Sequence, residues 1–181
     1  MARYVAFLRA INVGGSQVVK MDVLRALFEE AGFANVETFI ASGNVIFDAR
    51  SKDPAALERK IEQMLETLLG YEVTTFIRSL EGVTAIARHP PFSPSEIASA
   101  PSLNVGLLKE PPSAATRAAL AKLKTDIDDF QVKGSELYWI CRKRQSESKI
   151  SNAVFERTLG IRATFRGLRT MEKLAAKYAA G

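Results

Sequence analysis

The chain of 181 residues is long enough to bury a core without disulfide bonds and fits one large domain or two small ones. Its composition, 47% hydrophobic and 25% charged, excludes a disordered or low-complexity protein, and its apolar runs are too short to span a membrane. The net charge of +5 favours anionic partners, although a solvated basic surface explains it equally well.

The rarest side chains narrow the chemistry further. A single cysteine, Cys141, excludes an intramolecular disulfide and a cysteine-based zinc cluster, and it predicts a reducing, cytoplasmic location. The single histidine, His89, argues against a histidine-rich metal site and against a Ser-His-Asp triad with any other base. We therefore expect neither a metal nor a cofactor. The opening apolar stretch, Tyr4–Leu8, is too short for a signal-peptide core and predicts a strand.

The first half of the chain alternates strand and helix patterns. Tyr4–Arg9 is short, apolar and β-prone, which indicates a strand. Apolar residues at 21, 24, 27, 28 and 31 lie on one helix face, and Gly32 supplies a stop. There follow strands at 36–41 and 45–47 joined by a turn, a helix from Asp53-Pro54 to Gly70, a strand at 73–78 and a short helix at 81–88.

The same order begins again after a stretch rich in proline and serine, residues 89–101, which predicts a linker. The second series consists of a strand at 103–108, a helix at 113–123, strands at 130–133 and 136–142, a helix at 149–159, a strand at 161–165 and a closing helix. Each half thus has the β-α-β-β-α-β order of a ferredoxin-like unit, followed by one more helix. The sequence predicts an α+β fold made by tandem duplication, with units at 1–88 and 102–181.

The first strand of each half is apolar on both faces. Val5 and Phe7 alternate with Tyr4, Ala6 and Leu8, and the strand at 103–108 is similar. A ferredoxin-like unit covers only one sheet face with helices, so a strand that is apolar on both faces needs a second cover. We expect the two halves to pack together and share a core.

The loop after the first strand is the strongest candidate for ligand binding. It contains Arg9, Asn12, Gly14, Gly15 and Lys20, which combine positive charge with glycines that permit close backbone approach to an anion. It lacks the P-loop signature and the dinucleotide spacing. A plain glycine turn leading into a helix is the alternative interpretation.

A second glycine turn, Ser42-Gly43-Asn44, predicts a tight hairpin. We expect this turn and the loop at Gly14-Gly15 to lie at opposite ends of the sheet in one unit. A site that uses Ser42 and Asn44 together with that loop would then need the other half or a second subunit.

The second half carries its own cationic residues. The stretch 142–149 and the arginines at 162, 166 and 169 favour phosphate contacts of a nucleic acid or metabolite, with a solvated loop as the alternative. RNA recognition by stacking is disfavoured because the strand at 45–47 lacks the aromatic signature. Ser146-Glu-Ser-Lys149 has the Ser-x-x-Lys spacing of some acyl-transfer enzymes, but no companion motif accompanies it.

Longer motifs carry a resemblance to a known family. They are 4–15 (YVAFLRAINVGG), Lys20-Met21, 38–47 (TFIASGNVIF), 148–150, 156–160 and the segment from Ala163 to Leu174. In these the chain resembles the bacterial family of domains of unknown function DUF1697. The resemblance implies the duplicated ferredoxin-like arrangement and no established activity. The family usually shows Arg-Asn-Trp-x-Thr where this chain has Arg166-Gly-Leu-Arg-Thr170, a departure that puts any shared role of those positions in doubt.

The leading functional hypothesis is binding of a small anionic, phosphorylated ligand. The loop from Arg9 to Lys20 would face the anion, and Lys149, Arg166 and Thr170 would form its counterpart in the second half. An enzyme acting on such a ligand and a nucleic-acid-associated protein are the alternatives. The oligomeric state stays open.

Overall fold

The structure, a computed structural model, describes residues 1–12, 18–40 and 43–178. These residues form eight strands and seven α-helices. The strands are β1 (Ala2–Leu8), β2 (Ala34–Thr38), β3 (Asn44–Ala49), β4 (Thr75–Ser79), β5 (Ser102–Leu107), β6 (Asp128–Lys133), β7 (Glu136–Cys141) and β8 (Thr164–Gly167). The helices are α1 (Met21–Glu30), α2 (Pro54–Leu69), α3 (Leu80–Arg88), α4 (Pro94–Ser99), α5 (Ala114–Ala121), α6 (Asn152–Leu159) and α7 (Leu168–Tyr178).

Two four-stranded antiparallel sheets organise the chain. The first has the strand order β2-β3-β1-β4 and the second has the matching order β6-β7-β5-β8. The predicted α+β class and the two similar halves are confirmed. Within the described ranges, no helix is long and apolar enough to cross a membrane.

Packing divides the chain into two compact units. One comprises Met1–Ala85 together with the chain from Leu174 onward, and the other comprises Ile86–Lys173. The stretch 89–101, predicted as a linker, contains the short helix α4, which a capping box between Ser93 and Glu96 starts. The limits at 88 and 102 as domain boundaries stay a prediction.

Each sheet buries one face under its helices. In the first unit, Leu24, Phe28 and Ile61 from the helices pack with Ala6 and Phe47 of the sheet. In the second unit, a separate cluster holds the strand residues Leu137, Trp139 and Cys141 together with the helix residues Leu120 and Phe155. Trp139 and Cys141 both lie in this core.

The other face of β1 is buried as well. Val5 and Phe7, which alternate with the residues of the helix-covered face, have no exposed surface, and Val105 and Leu107 of β5 are equally buried. The inference that β1 and β5 are covered on both faces is therefore confirmed. That the two halves share one core stays a prediction.

The two halves share a pattern of backbone hydrogen bonds, although their sequences show little identity. The backbone N–H of Leu8 donates to the carbonyl of Gly43, and that of Leu108 donates to Ser135, so positions in β1 and β5 correspond with an offset of one hundred. Val5 then pairs with Arg78 of β4 as Val105 pairs with Arg166 of β8. Each of these arginines donates from Nη1 to the carbonyl of the preceding residue, at 2.9 Å.

Candidate functional site

The loop after β1 and the turn between β2 and β3 meet at one end of the first sheet. Phe7 near the end of β1 pairs with Asn44 at the start of β3, and the Leu8 N–H donates to the Gly43 carbonyl at 2.8 Å. The expectation that these two segments lie at opposite ends is wrong. The crossover through α1 returns the chain to the starting end, so β2 runs parallel to β1 and both strands finish at the same end.

Gly43 lies close to the segment that follows β1. Its φ of +77° favours glycine, and a Cβ at this position would lie 3.1 Å from Leu8 Cβ and 3.6 Å from Ile11 Cβ. Ile11 is itself buried. A side chain at Gly43 would push the turn away from the β1–α1 loop, so glycine is required for their close approach.

Of the four described non-glycine residues with positive φ, three lie at this end of the sheet, and the fourth, Asn35, lies near the start of β2. Ala10, Asn12 and Ile40 have φ values of 60°, 59° and 60°. Asparagine tolerates this left-handed region, but a β-branched residue such as Ile40 adopts it at a cost of about 1–2 kcal/mol. Half of the Ile40 surface is exposed, so burial of its side chain does not explain the conformation. Strained residues of this kind cluster at ligand-binding segments.

Asn12 fastens the two ends of the β1–α1 loop. Its Oδ1 accepts from the Val19 N–H at 2.7 Å, and its Nδ2 donates to the Val19 carbonyl at 3.1 Å. The side-chain amide thus pairs with both backbone polar groups of Val19, as a neighbouring strand would, and joins the two described ends of the loop. This contact explains an asparagine at a position with positive φ, and it makes Asn12 a residue that shapes the loop.

The two cations of the loop differ in exposure. Arg9 is half-buried, and its N–H donates to the Thr74 carbonyl at 2.9 Å, which ties the end of β1 to the segment before β4. Lys20 is exposed and occupies the position before the first residue of α1, where no side chain caps the helix. Its ammonium group is therefore accessible beside the positive end of the helix dipole. The predicted ligand residues Gly14, Gly15 and Ser42 lie outside the described residues.

Asn44 closes the β2–β3 hairpin. It is fully buried, and its Nδ2 donates to the Phe39 carbonyl at 2.9 Å while the Phe39 N–H donates to the Asn44 carbonyl. These contacts are those of a residue that fixes a turn. Its predicted role in ligand binding stays a prediction.

The predicted counterpart in the second half consists of Lys149, Arg166 and Thr170. Lys149 is exposed before α6, and Thr170 is half-buried in the first turn of α7. Arg166 lies on β8 and donates to Thr164 Oγ1 at 2.8 Å. Burial lowers the pKa of Arg166 to about 10, which still leaves the guanidinium charged at neutral pH. That the three residues bind one anion together stays a prediction.

Acidic side chains accompany the basic stretch 142–149. The guanidinium of Arg142 lies 3.6 Å from a Glu96 carboxylate oxygen and 3.9 Å from one of Asp129. Lys124 forms a shorter pair with Asp129, at 2.8 Å. These partners reduce the positive potential that a nucleic acid would meet at this surface.

Ser148 belongs to a buried network around Asp128. Its hydroxyl lies 2.9 Å from both carboxylate oxygens of Asp128, which also accept from Trp139 Nε1 and Thr125 Oγ1. Ser148 Oγ in turn accepts from the Ile150 N–H at 3.0 Å. The hydroxyl proton of Ser148 is therefore directed to a carboxylate, which favours a role in anchoring the loop over a Ser–Lys pair.

The strained residues Ala10 and Ile40 were not among the predicted site residues. In a sequence, only residue types such as glycine, asparagine and proline indicate an unusual φ. An isoleucine with a left-handed backbone conformation therefore cannot be recognised from the sequence. The available hint was their position inside the two long motifs, 4–15 and 38–47.

The fold and the site define an α+β protein of two similar halves whose first half presents a strained, basic loop end. The family of proteins of unknown function DUF1697 matches residues 1–138, so the chain belongs to this family. A conserved bacterial protein, SP0830 from Streptococcus pneumoniae, has a similar solved structure with a TM-score of 0.78 and 23% sequence identity. The alignment covers 99% of each chain and shows a shared fold. No curated protein matches the chain.

Proposed function

We propose that the protein binds a small anionic, phosphorylated ligand at the end of the first sheet where the β1–α1 loop and the β2–β3 turn meet. The observation that carries this proposal is the concentration of three non-glycine residues with positive φ at that end. Such conformations persist where surrounding structure enforces them, and they are frequent at ligand sites.

The charge of the site supports an anion. Lys20 is exposed directly before α1, and Arg9 lies on the same loop. The N-terminal end of a helix carries a partial positive charge that adds to these two cations. The Asn12 amide joins Val19 to the residues that follow β1, so the two described ends of the loop are tied together before any ligand arrives.

The test is a titration of the protein with inorganic phosphate, pyrophosphate and ribose 5-phosphate, followed by thermal shift and calorimetry. Lys20→Ala is expected to weaken binding about three- to tenfold without changing the melting temperature of the free protein. Lys52→Ala is the matched control, because Lys52 is also exposed but follows β3 at the opposite end of the sheet. Equal affinities of the two variants would contradict the proposal.

An enzyme acting on such a ligand is the second candidate. It requires a nucleophile with a base, and in the second unit the Ser148 hydroxyl lies 2.9 Å from the Asp128 carboxylate. Turnover of the bound phosphate compound, abolished by Ser148→Ala, would raise this candidate above simple binding. Association with nucleic acid would instead appear as binding that weakens steeply with salt.

We further propose that each half is a ferredoxin-like unit and that the protein is cytoplasmic. Support for the first comes from the β-α-β-β-α-β order and from the placement of β1 between β3 and β4. Support for the cytoplasmic location comes from the single cysteine, Cys141, which is buried and forms no disulfide bond.

A further inference from the structure

A cleft of about 650 Å³ opens in the second unit. The end of α3, the chain leading into α4, the end of β6 and the start of α7 line this open cleft. This volume lies within the range of sites that take small organic molecules. The sequence pattern around His89 indicates only a linker, so nothing in it points to a cavity.

The walls of the cleft are mostly apolar and stiff. Half-buried Phe92 and Ile97 and buried Leu168 contribute apolar surface. Prolines at positions 90, 91 and 94 fix three φ angles along the same wall. A wall of this kind is largely preformed, and a flat apolar group would enter it at a low cost in conformational entropy.

Charged side chains stand around this apolar surface. Arg88, Lys133 and Glu172 line the cleft together with His89, and the three charged residues are exposed. Lys133 Nζ donates to the His89 carbonyl at 3.1 Å, a contact between residues 44 positions apart that holds the proline-rich chain beside β6. An ammonium has three N–H donors, so this contact leaves the group able to donate to a ligand as well.

We propose that this cleft binds a small molecule with a flat apolar body and a single carboxylate. Two cations against one carboxylate give the cleft one unit of net positive charge, which matches a monoanion. The Glu172 carboxylate opposes a second negative charge on the ligand, because like charges at close range repel. The cleft therefore differs in specificity from the phosphate site proposed above.

The test compares 2-naphthoate with its uncharged isostere 2-naphthamide, by amide NMR titration of the whole protein. Naphthoate is expected to shift resonances of the cleft residues and to bind about five- to tenfold more tightly than naphthamide. Lys133→Ala should remove this preference. Lys122→Ala is the control, because Lys122 is exposed in the same unit and does not line the cleft.

Two further variants separate the apolar and the charged contributions. Ala98→Phe places a ring in the cleft from an exposed position of α4 and should abolish binding. Glu172→Gln should raise the affinity for 2,6-naphthalenedicarboxylate severalfold relative to naphthoate. Three results would each overturn the proposal: resonance shifts outside the cleft, equal binding of naphthamide and naphthoate, or an unchanged preference in Lys133→Ala. None of these measurements depends on the folding of Ala98→Phe.

Discussion

Gly106 in the centre of the second sheet provides a test of how the packing of the two halves differs. It pairs with Phe165 on β8, and a methyl group at this position would lie 2.6 Å from Cε1 and Cζ of the Phe165 ring. The ring is itself held, stacked at 5.0 Å on Phe155 and edge-on at 6.3 Å to Trp139. The equivalent pair in the first half is Ala6 with Ile77. A smaller residue on the central strand thus accompanies a larger one on the edge strand.

The expected cost of Gly106→Ala follows from that geometry. Carbon atoms in contact are normally about 3.5–4.0 Å apart, so the ring has to move by about 1 Å against its aromatic neighbours. Overpacking of this kind costs about 1–3 kcal/mol, and replacing a strand glycine returns about 0.5–1 kcal/mol. The net loss therefore lies between about 0 and 2.5 kcal/mol with a midpoint of about 1 kcal/mol, a decrease of up to about 10 °C in melting temperature.

Urea unfolding followed by tryptophan fluorescence measures this loss directly. Trp139 is the single tryptophan and lies in the core cluster of the second unit, so its emission reports on that unit. Gly167→Ala is the matched control, because a Cβ there meets nothing within 4 Å. Its stability should stay within about 0.5 kcal/mol of the parent protein.

The double variant Gly106→Ala with Phe165→Ile reproduces the pair found in the first half. Its loss of stability should be smaller than the sum of the two single losses by about 1 kcal/mol, since the ring that clashes is gone. Strict additivity of the two changes, or an equal loss in Gly167→Ala, would refute the argument from packing.

Three further predictions concern other parts of the chain. Tyr178→Ala should cost about 2–4 kcal/mol and Tyr178→Phe about 1 kcal/mol, measured by circular dichroism in urea, because Phe keeps the ring over Arg3 and loses only the hydrogen bond to Glu37. Asn12→Ala should cost about 1–3 kcal/mol by the same measurement, and more than Asn12→Gly, which keeps the backbone conformation accessible. Burial raises the pKa of the Cys141 thiol. The free energy of unfolding should therefore be constant below the ordinary thiol pKa and should fall as the pH rises through the raised pKa. The Cys141→Ala variant should not show this fall.

Each of these predictions has an outcome that contradicts it. Equal losses of stability in the two Tyr178 variants would show that the ring contacts do not contribute to stability. An Asn12→Gly variant less stable than Asn12→Ala would show that φ is not the constraint. Rapid reaction of Cys141 with a disulfide reagent in the folded protein would show that its burial is incomplete.

The sequence patterns predicted the elements well because both periodicities are strong. The helix at Asp53–Gly70 is an example: Asp53 Oδ1 accepts from the Ala55 N–H at 3.0 Å, and Gly70 ends the helix with a φ of +78°. Apolar faces on both sides of β1 predicted the burial of Tyr4–Leu8 for the same reason. Local chemistry determines these features, and the letters report it directly.

The relation between the two glycine loops could not be obtained from local patterns. It depends on the direction of β2 relative to β1, which the crossover through α1 sets over some thirty residues. The cleft beside Phe92 is a similar case, since α3, α4, β6 and α7 come together there only in three dimensions. The positive φ of Ile40 could not be predicted for another reason, because isoleucine is not a residue type that indicates a left-handed backbone conformation.

The end of α7 has a consequence for the order in which the protein is made. Residues from Leu174 onward belong to the unit that begins at Met1, and Tyr178 contacts Arg3 and Glu37. A ribosome releases residues 1–85 long before residue 178. The unit encoded first is therefore completed last, and during synthesis its surface around Arg3 stays uncovered until the second unit has emerged.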